Sequence, residues 1–162
     1  MLIESTSHFS QLISKVNRML PTLLQPYLTF NGQCDEAIAF YQKALGAEVV
    51  IRMQFNESPD PTPEGILPPG FEEKVMHCTL KIGEAILMCS DGCEPTKTGF
   101  AGFSLSLALP TEEDAHRLFA NLSEGGQVTM PLGKTFWSPC FGMLADRFGV
   151  SWMISVNHPV TV

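Results

Sequence analysis

The sequence predicts an α+β fold: two tandem βαβββ units whose strands form a curved, mostly antiparallel sheet around one cleft. Three observations predict it. Each half of the chain reads as strand, helix, then three strands. The apolar helix positions Ala37, Phe40, Tyr41 and Ala44 recur as Ala115, Leu118, Phe119 and Leu122 at a constant offset of 78 residues, the mark of an internal duplication. Several strands alternate so that one face is apolar and the other holds small hydroxyls, a Tyr, a His and methionines. A helix on one face of such a sheet leaves the opposite face for another use, and two half-sheets curling round one space make a ligand cleft.

The elements follow in order. Residues 1–25 stand apart: Phe9, Leu12, Ile13, Val16, Met19 and Leu20 have helical spacing, with Ser7 as cap and Pro21 as stop. This predicts an amphipathic helical extension ahead of a domain over 26–157, with Met19 as an alternative start. Its polar face carries only Lys15 and Arg18, too few for a membrane-surface helix. Tyr27 to Asn31 alternates as a strand. Cys34 to Leu45 is a helix, with Asp35 and Glu36 in its first turn and Gly46 as stop. Ala47 to Phe55 is β-rich. Asn56 to Gly70 holds five prolines and two glycines and reads as a long loop, a candidate lid. Val75 to Ile82 and Ala85 to Ser90 form a hairpin turning at Gly83-Glu84. The second unit repeats this: strand Phe103 to Leu109, a helix capped by Thr111 and stopped by Gly125-Gly126, then Val128 to Leu132, Phe141 to Asp146 and Val150 to Val156.

Composition bounds the function. The chain has 162 residues, enough for one domain, with 44% hydrophobic residues and a net charge of −7 from 10 basic and 17 acidic residues. That sign repels phosphate backbones and anionic lipid, so neither nucleic acid nor membrane is an expected partner. No apolar run reaches the roughly 18 residues of a membrane span. The N-terminus lacks the basic region and apolar core of a signal peptide, so a cytoplasmic location is expected. Five cysteines, an odd number, argue for reduced thiols, with Cys78 and Cys89 as core residues. Cys89 and Cys93 make one pair without a second, so no structural zinc is expected.

Particular strings carry a resemblance: Pro26-Tyr27-Leu28-x-Phe30-x-Gly32, Ala37-Ile38-x-Phe40-Tyr41-x-x-x-Leu45-Gly46-Ala47, Met76-His77, Leu87-Met88-x-Ser90-Asp91, Thr135-Phe136-Trp137, and Asp146-Arg147-Phe148-Gly149-Val150-x-Trp152-Met153. Over residues 26–157 the chain resembles the vicinal oxygen chelate superfamily of glyoxalases, bleomycin resistance proteins and extradiol dioxygenases. Within it the match is to the PhnB-like group, sometimes labelled 3-demethylubiquinone-9 3-methyltransferase domains. The resemblance implies a small-molecule cleft and a homodimer. Metal-dependent members hold a divalent ion with His and Glu on the first and last strands of each unit. Here those places correspond to Gln25 or a neighbour, Met88, Ser104 and Met153, none of them a His or carboxylate. No cofactor is therefore expected; should a divalent metal bind, His77 and then Asp91 are its candidate ligands. No GxGxxG, GxSxG, HExxH or P-loop string occurs, so neither a nucleoside cofactor site nor the common hydrolase sites are expected.

His77 is the catalytic candidate, since His8 and His158 lie in the tails and His116 on the second helix. On the cleft face an imidazole can exchange a proton near neutral pH or orient an oxygen-rich ligand. Tyr27, Thr79, Met88, Ser104, Trp137 and Met153 are the candidate ligand-binding residues. Two functions stay open: a protein that binds a small planar or hydrophobic compound, or an enzyme acting on a small oxygen-rich or aromatic metabolite with His77 as acid/base.

Overall fold

The computed structural model describes residues 23–93 and 99–157. The helix expected in the N-terminal extension lies outside the described residues. In chain order the elements are β1 (Tyr27–Thr29), α1 (Cys34–Leu45), β2 (Glu48–Gln54), a 3-10 turn (Phe55–Glu57), β3 (Val75–Ile82), β4 (Ala85–Ser90), β5 (Leu105–Leu109), α2 (Glu112–Ser123), β6 (Gln127–Gly133), β7 (Phe141–Ala145) and β8 (Ser151–Val156). The strands form two four-stranded sheets, ordered β1-β4-β3-β2 and β5-β8-β7-β6. In each, the first strand runs parallel to the last and the other pairings are antiparallel. The duplication is thus one of topology as well as of sequence. The two half-sheets of the expected tandem βαβββ fold are these two four-stranded sheets, and among the described residues no ladder joins them. β1 is only three residues long and is preceded by Pro26, which has no N–H to extend a ladder.

Strand parity places the helices as the alternation predicts. Leu28, Cys78, Leu80, Leu87 and Cys89 of the first sheet are buried in the same core as α1, and Leu144, Trp152 and Ile154 of the second join it from the side of α2. All five cysteines are free thiols, four of them buried. α1 buries Ala37, Phe40, Tyr41 and Ala44 and closes at Gly46, whose N–H donates to the Gln42 carbonyl and whose left-handed φ of 67° turns the Ala47 N–H back to the carbonyl of Tyr41. α2 starts with the Thr111 side chain accepting from the Asp114 N–H.

The two units share one core. Tyr41 of α1 lies 5.8 Å edge-on from Trp152 of β8, and Phe30 lies 5.6 Å from Phe148. The helices also meet directly, Asn121 Nδ2 donating to the Ala44 carbonyl and Lys43 pairing with Glu124. Two buried carboxylates brace this arrangement. Asp91, just after β4, accepts from the backbone N–H groups of Gly32, Cys34 and Val75, and so caps α1 from 57 residues away. Asp146, just after β7, accepts from the Tyr41 hydroxyl, the Trp152 indole and the N–H groups of Phe148 and Val150.

The loop between β2 and β3 closes on its own neck: Phe55 N–H donates to the Lys74 carbonyl and Asn56 N–H to that of Glu72. Inside it Phe55, Pro61, Thr62 and Leu67 surround a space of about 200 Å³.

Candidate functional site

The outer face of the first sheet follows from what its inner face buries. Cys78 and Leu80 on β3, and Leu87 and Cys89 on β4, are drawn into the core, so His77, Thr79 and Met88 between them turn outward, half-buried. Register completes the cluster. Tyr27 is opposite Met88 on the parallel β1–β4 ladder, and Thr79 is opposite Met88 on β3–β4. Tyr27, 48% exposed, places its hydroxyl 3.4 Å from His77 Nδ1, with the two rings 5.8 Å apart. The opposite ring nitrogen, Nε2, lies 3.0 Å from Thr79 Oγ1. Both imidazole nitrogens are therefore engaged, and the ring is held between a phenol and a hydroxyl. Ile51 and Met53 of β2, opposite Thr79 and His77, add apolar surface to the same face.

The second sheet has a matching row. Ser106, Met153, Met143 and Met130 are cross-strand neighbours running over all four strands. Trp137 sits on the β6–β7 loop, 50% exposed, edge-on to Phe141 at 5.5 Å and to Phe136 at 4.6 Å. That loop is anchored by buried Ser138, whose Oγ lies 2.8 Å from the carbonyl oxygens of both Cys140 and Val156 and accepts from the N–H groups of the same two residues.

Of the residues singled out by sequence, the structure gathers Tyr27, His77, Thr79 and Met88 into one cluster. Met153 belongs to the other sheet, with Trp137 on that sheet's β6–β7 loop. Among the described residues no hydrogen bond or ring contact joins the two groups. Ser104 immediately precedes β5, and the ladder puts Ser106 opposite Met153. Sequence reasoning missed Ile51, Met53, Met130 and Met143. The signal was the duplication carried through to register, in which Ile51–Thr79–Met88 corresponds to Met130–Met143–Met153.

The same registers test a divalent metal. The residues facing one another on first and last strands are Tyr27 with Met88, and Ser106 with Met153. A phenol, an aliphatic hydroxyl and two thioethers are a poor set for a hard divalent ion, so these donors do not fit a divalent-metal site. Asp91 is not a substitute ligand: it is fully buried and its oxygens are taken by three backbone amides. Among the described residues no three His, Cys, Asp or Glu side chains converge as a metal site. A nucleoside cofactor is served no better. The N-terminus of α1 is filled by Asp91 and that of α2 by Thr111, rather than opened by a glycine-rich turn.

Comparison with known proteins agrees with this architecture. A family model described as 3-demethylubiquinone-9 3-methyltransferase matches residues 22–155. Protein YjdN of Escherichia coli is 37% identical over 140 residues, covering 82% of this chain and 94% of its own. The crystal structure of protein PA1353 from Pseudomonas aeruginosa superposes with a TM-score of 0.73 at 41% identity, over 85% of this chain and 99% of that one. A Bacillus cereus structure described as a putative 3-demethylubiquinone-9 3-methyltransferase, PhnB protein, superposes with a TM-score of 0.69 at 30% identity, over 84% of this chain and 100% of that one. Likeness to glyoxalase-related and fosfomycin-resistance proteins, at 18% identity and 9%, is one of fold alone.

Proposed function

This chain belongs to the PhnB-like family of 3-demethylubiquinone-9 3-methyltransferase domains, and from that premise we propose that it binds a small planar or aromatic molecule on the outer face of its first sheet. The observation that carries the reading is the Tyr27–His77–Thr79 chain of contacts set among Met88, Met53 and Ile51. Apolar, polarisable side chains supply the surface on which a flat ligand lies, and the oriented phenol, imidazole and hydroxyl fix its polar edge. In the chemistry proposed here the ligand is held without a metal, because the thioethers stand where metal ligands would be needed. Trp137 and Met153 form a second apolar surface of the same kind. The protein works in the cytoplasm as a homodimer, and exposed Phe136 and Val50 supply apolar area for a second copy.

A second reading, proton transfer by His77, is favoured by one specific feature: both ring nitrogens have hydroxyl partners, a path by which a proton taken at one nitrogen can be relayed from the other. The loop over residues 56–70 would then act as a lid.

A thermal-shift screen of aromatic metabolites and antibiotics, followed by titration of each hit against His77→Ala and Met88→Ala, tests both readings. Binding on this face predicts about tenfold or greater weakening in Met88→Ala. Unchanged affinity in both variants would rule the face out. Turnover that disappears in His77→Ala while affinity persists would move the assignment to an enzyme.

A further inference from the structure

The outer face of the first sheet carries a charge that the Tyr27–His77–Thr79 cluster does not use. Along β3 the parity that turns His77 and Thr79 outward also turns Lys81 outward, and it is exposed. Of the charged side chains on the four strands, only Lys81 and Glu48 of β2, its ladder partner, share this face. Arg52, opposite Cys78, lies on the helix side and is held by Asp35 of α1 through two hydrogen bonds of 2.8 Å. Among the described residues no ion pair engages Lys81. With a net charge of −7 the chain as a whole repels anions, so any attraction here is local to this amine.

Thr79 links this amine to the imidazole. Its Oγ1 lies 3.0 Å from His77 Nε2, and Lys81 follows two residues on, about 7 Å along the strand and within the sweep of a long flexible side chain. Ile51 and Met88 flank Thr79 on its two ladders, so the hydroxyl emerges at the centre of an apolar row. Hydrogen counting then says what this hydroxyl can serve. A ligand oxygen that only accepts takes the Thr79 O–H; Oγ1 accepts from His77 Nε2–H, and the bare Nδ1 accepts from the Tyr27 O–H 3.4 Å away. All three hydrogens then run one way, from phenol to imidazole to hydroxyl to ligand. A carboxylate is an acceptor of this kind, and its charge is the one that Lys81 complements.

We propose that the ligand of this face is a planar carboxylate, its ring on Met88 and Ile51 and its carboxylate held by the Thr79 hydroxyl and the Lys81 amine. His77 and Tyr27 are positioning residues that orient the Thr79 hydrogen toward the carboxylate. Glu48 competes for Lys81 and sets a limit on the affinity. The inference rests on the ligand face proposed above and adds to it the charge of the ligand and the residue that reads that charge.

The test is calorimetric titration of the full chain at low ionic strength with 2-naphthoate and 2-naphthamide, which share their rings and differ in charge. The proposal expects naphthoate to bind about tenfold tighter than naphthamide. Lys81→Met and Thr79→Val should each remove about fivefold or more of the naphthoate affinity and leave naphthamide within about twofold. Lys81→Arg and Thr79→Ser, which restore the charge and the hydroxyl, should recover it. Glu48→Gln should tighten naphthoate about twofold or more by releasing the amine. Equal affinity for the two probes, or a naphthoate affinity unmoved by Lys81→Met, overturns the carboxylate assignment; if Met88→Ala still weakens both probes, the ligand face itself stands. Absence of binding by both probes, or binding that Met88→Ala leaves unchanged, overturns the face and the carboxylate together.

Discussion

Tyr41 on α1 donates its phenolic hydrogen to Asp146 Oδ2 at 2.8 Å, and Trp152 Nε1 donates to the same oxygen at 2.9 Å. The other oxygen, Oδ1, accepts from the N–H groups of Phe148 and Val150. One buried carboxylate from the turn before β8 thus joins the helix of the first unit to the sheet of the second. Each donor is buried with it, so removing one leaves an acceptor without its full complement.

Tyr41→Phe is expected to lower stability by about 1–3 kcal/mol, through loss of a hydrogen bond to a charged group in the core. The cost should depend on pH. Burial, and then the Asp146 carboxylate, hold the Tyr41 hydroxyl far above its ordinary range. The neighbouring Cys89 thiol and burial push Cys78 up, and Cys34 and burial do the same for Cys89. In each case the folded state keeps a proton that the unfolded chain releases. Their stabilisation is complete below the unfolded values, near 8.5 for the thiols and 10 for the phenol, and is lost as pH rises above them. Each group contributes a fall of about 1.4 kcal/mol per pH unit. Urea midpoints measured from pH 8 to 11 should show the gap between wild type and Tyr41→Phe narrowing above pH 10. A constant gap would contradict the assignment.

Asp91→Ala should cost about 3 kcal/mol or more, because three backbone N–H groups, the buried ones of Cys34 and Val75 and the part-buried one of Gly32, lose their acceptor together. Asp91→Asn keeps one acceptor oxygen and should cost less. Chemical denaturation of both variants checks the order, and metal content should be the same in each.

Gly126 and Gly133 separate close approach from mere flexibility. A Cβ at Gly126 would run into the Ala145 carbonyl oxygen and come within 2.9 Å of the Asp146 backbone, whereas one at Gly133 meets nothing within 4 Å. Gly126→Ala is expected to destabilise by about 1–3 kcal/mol, and Gly133→Ala to change stability by no more than about 0.5 kcal/mol. Thermal melts of the two proteins decide it; equal losses would mean that the α2–β6 turn moves freely.

Protein grown with added zinc, nickel, manganese and iron should carry less than about 0.1 ion per chain, and EDTA should leave its melting temperature unchanged. Both follow from the Tyr27–Met88 and Ser106–Met153 donor pairs. Stoichiometric metal lost in His77→Ala would show a site on the outer face of the first sheet that these pairs do not describe.

What the sequence determined by itself is whatever repeats within a single element. The helices over Cys34–Leu45 and Glu112–Ser123, the hairpin at Gly83-Glu84 and the duplication are all legible, because an amphipathic period records which side of one element will be buried. The same parity correctly turned His77, Thr79 and Met88 away from the core. Tertiary structure decided what depends on how separate elements meet. It placed Ser106 opposite Met153, because register is set by pairing between strands and a local pattern does not specify the partner's offset. It ended the first sheet at β1 instead of continuing it into β5. It also gave Asp91 and Asp146 their roles as acceptors: in sequence they are a candidate ligand and a turn residue, but their donors include Gly32 and Tyr41, 59 and 105 residues away. A buried carboxylate has to be satisfied by whichever N–H and O–H groups the packed core brings to it, and only the folded chain specifies which those are.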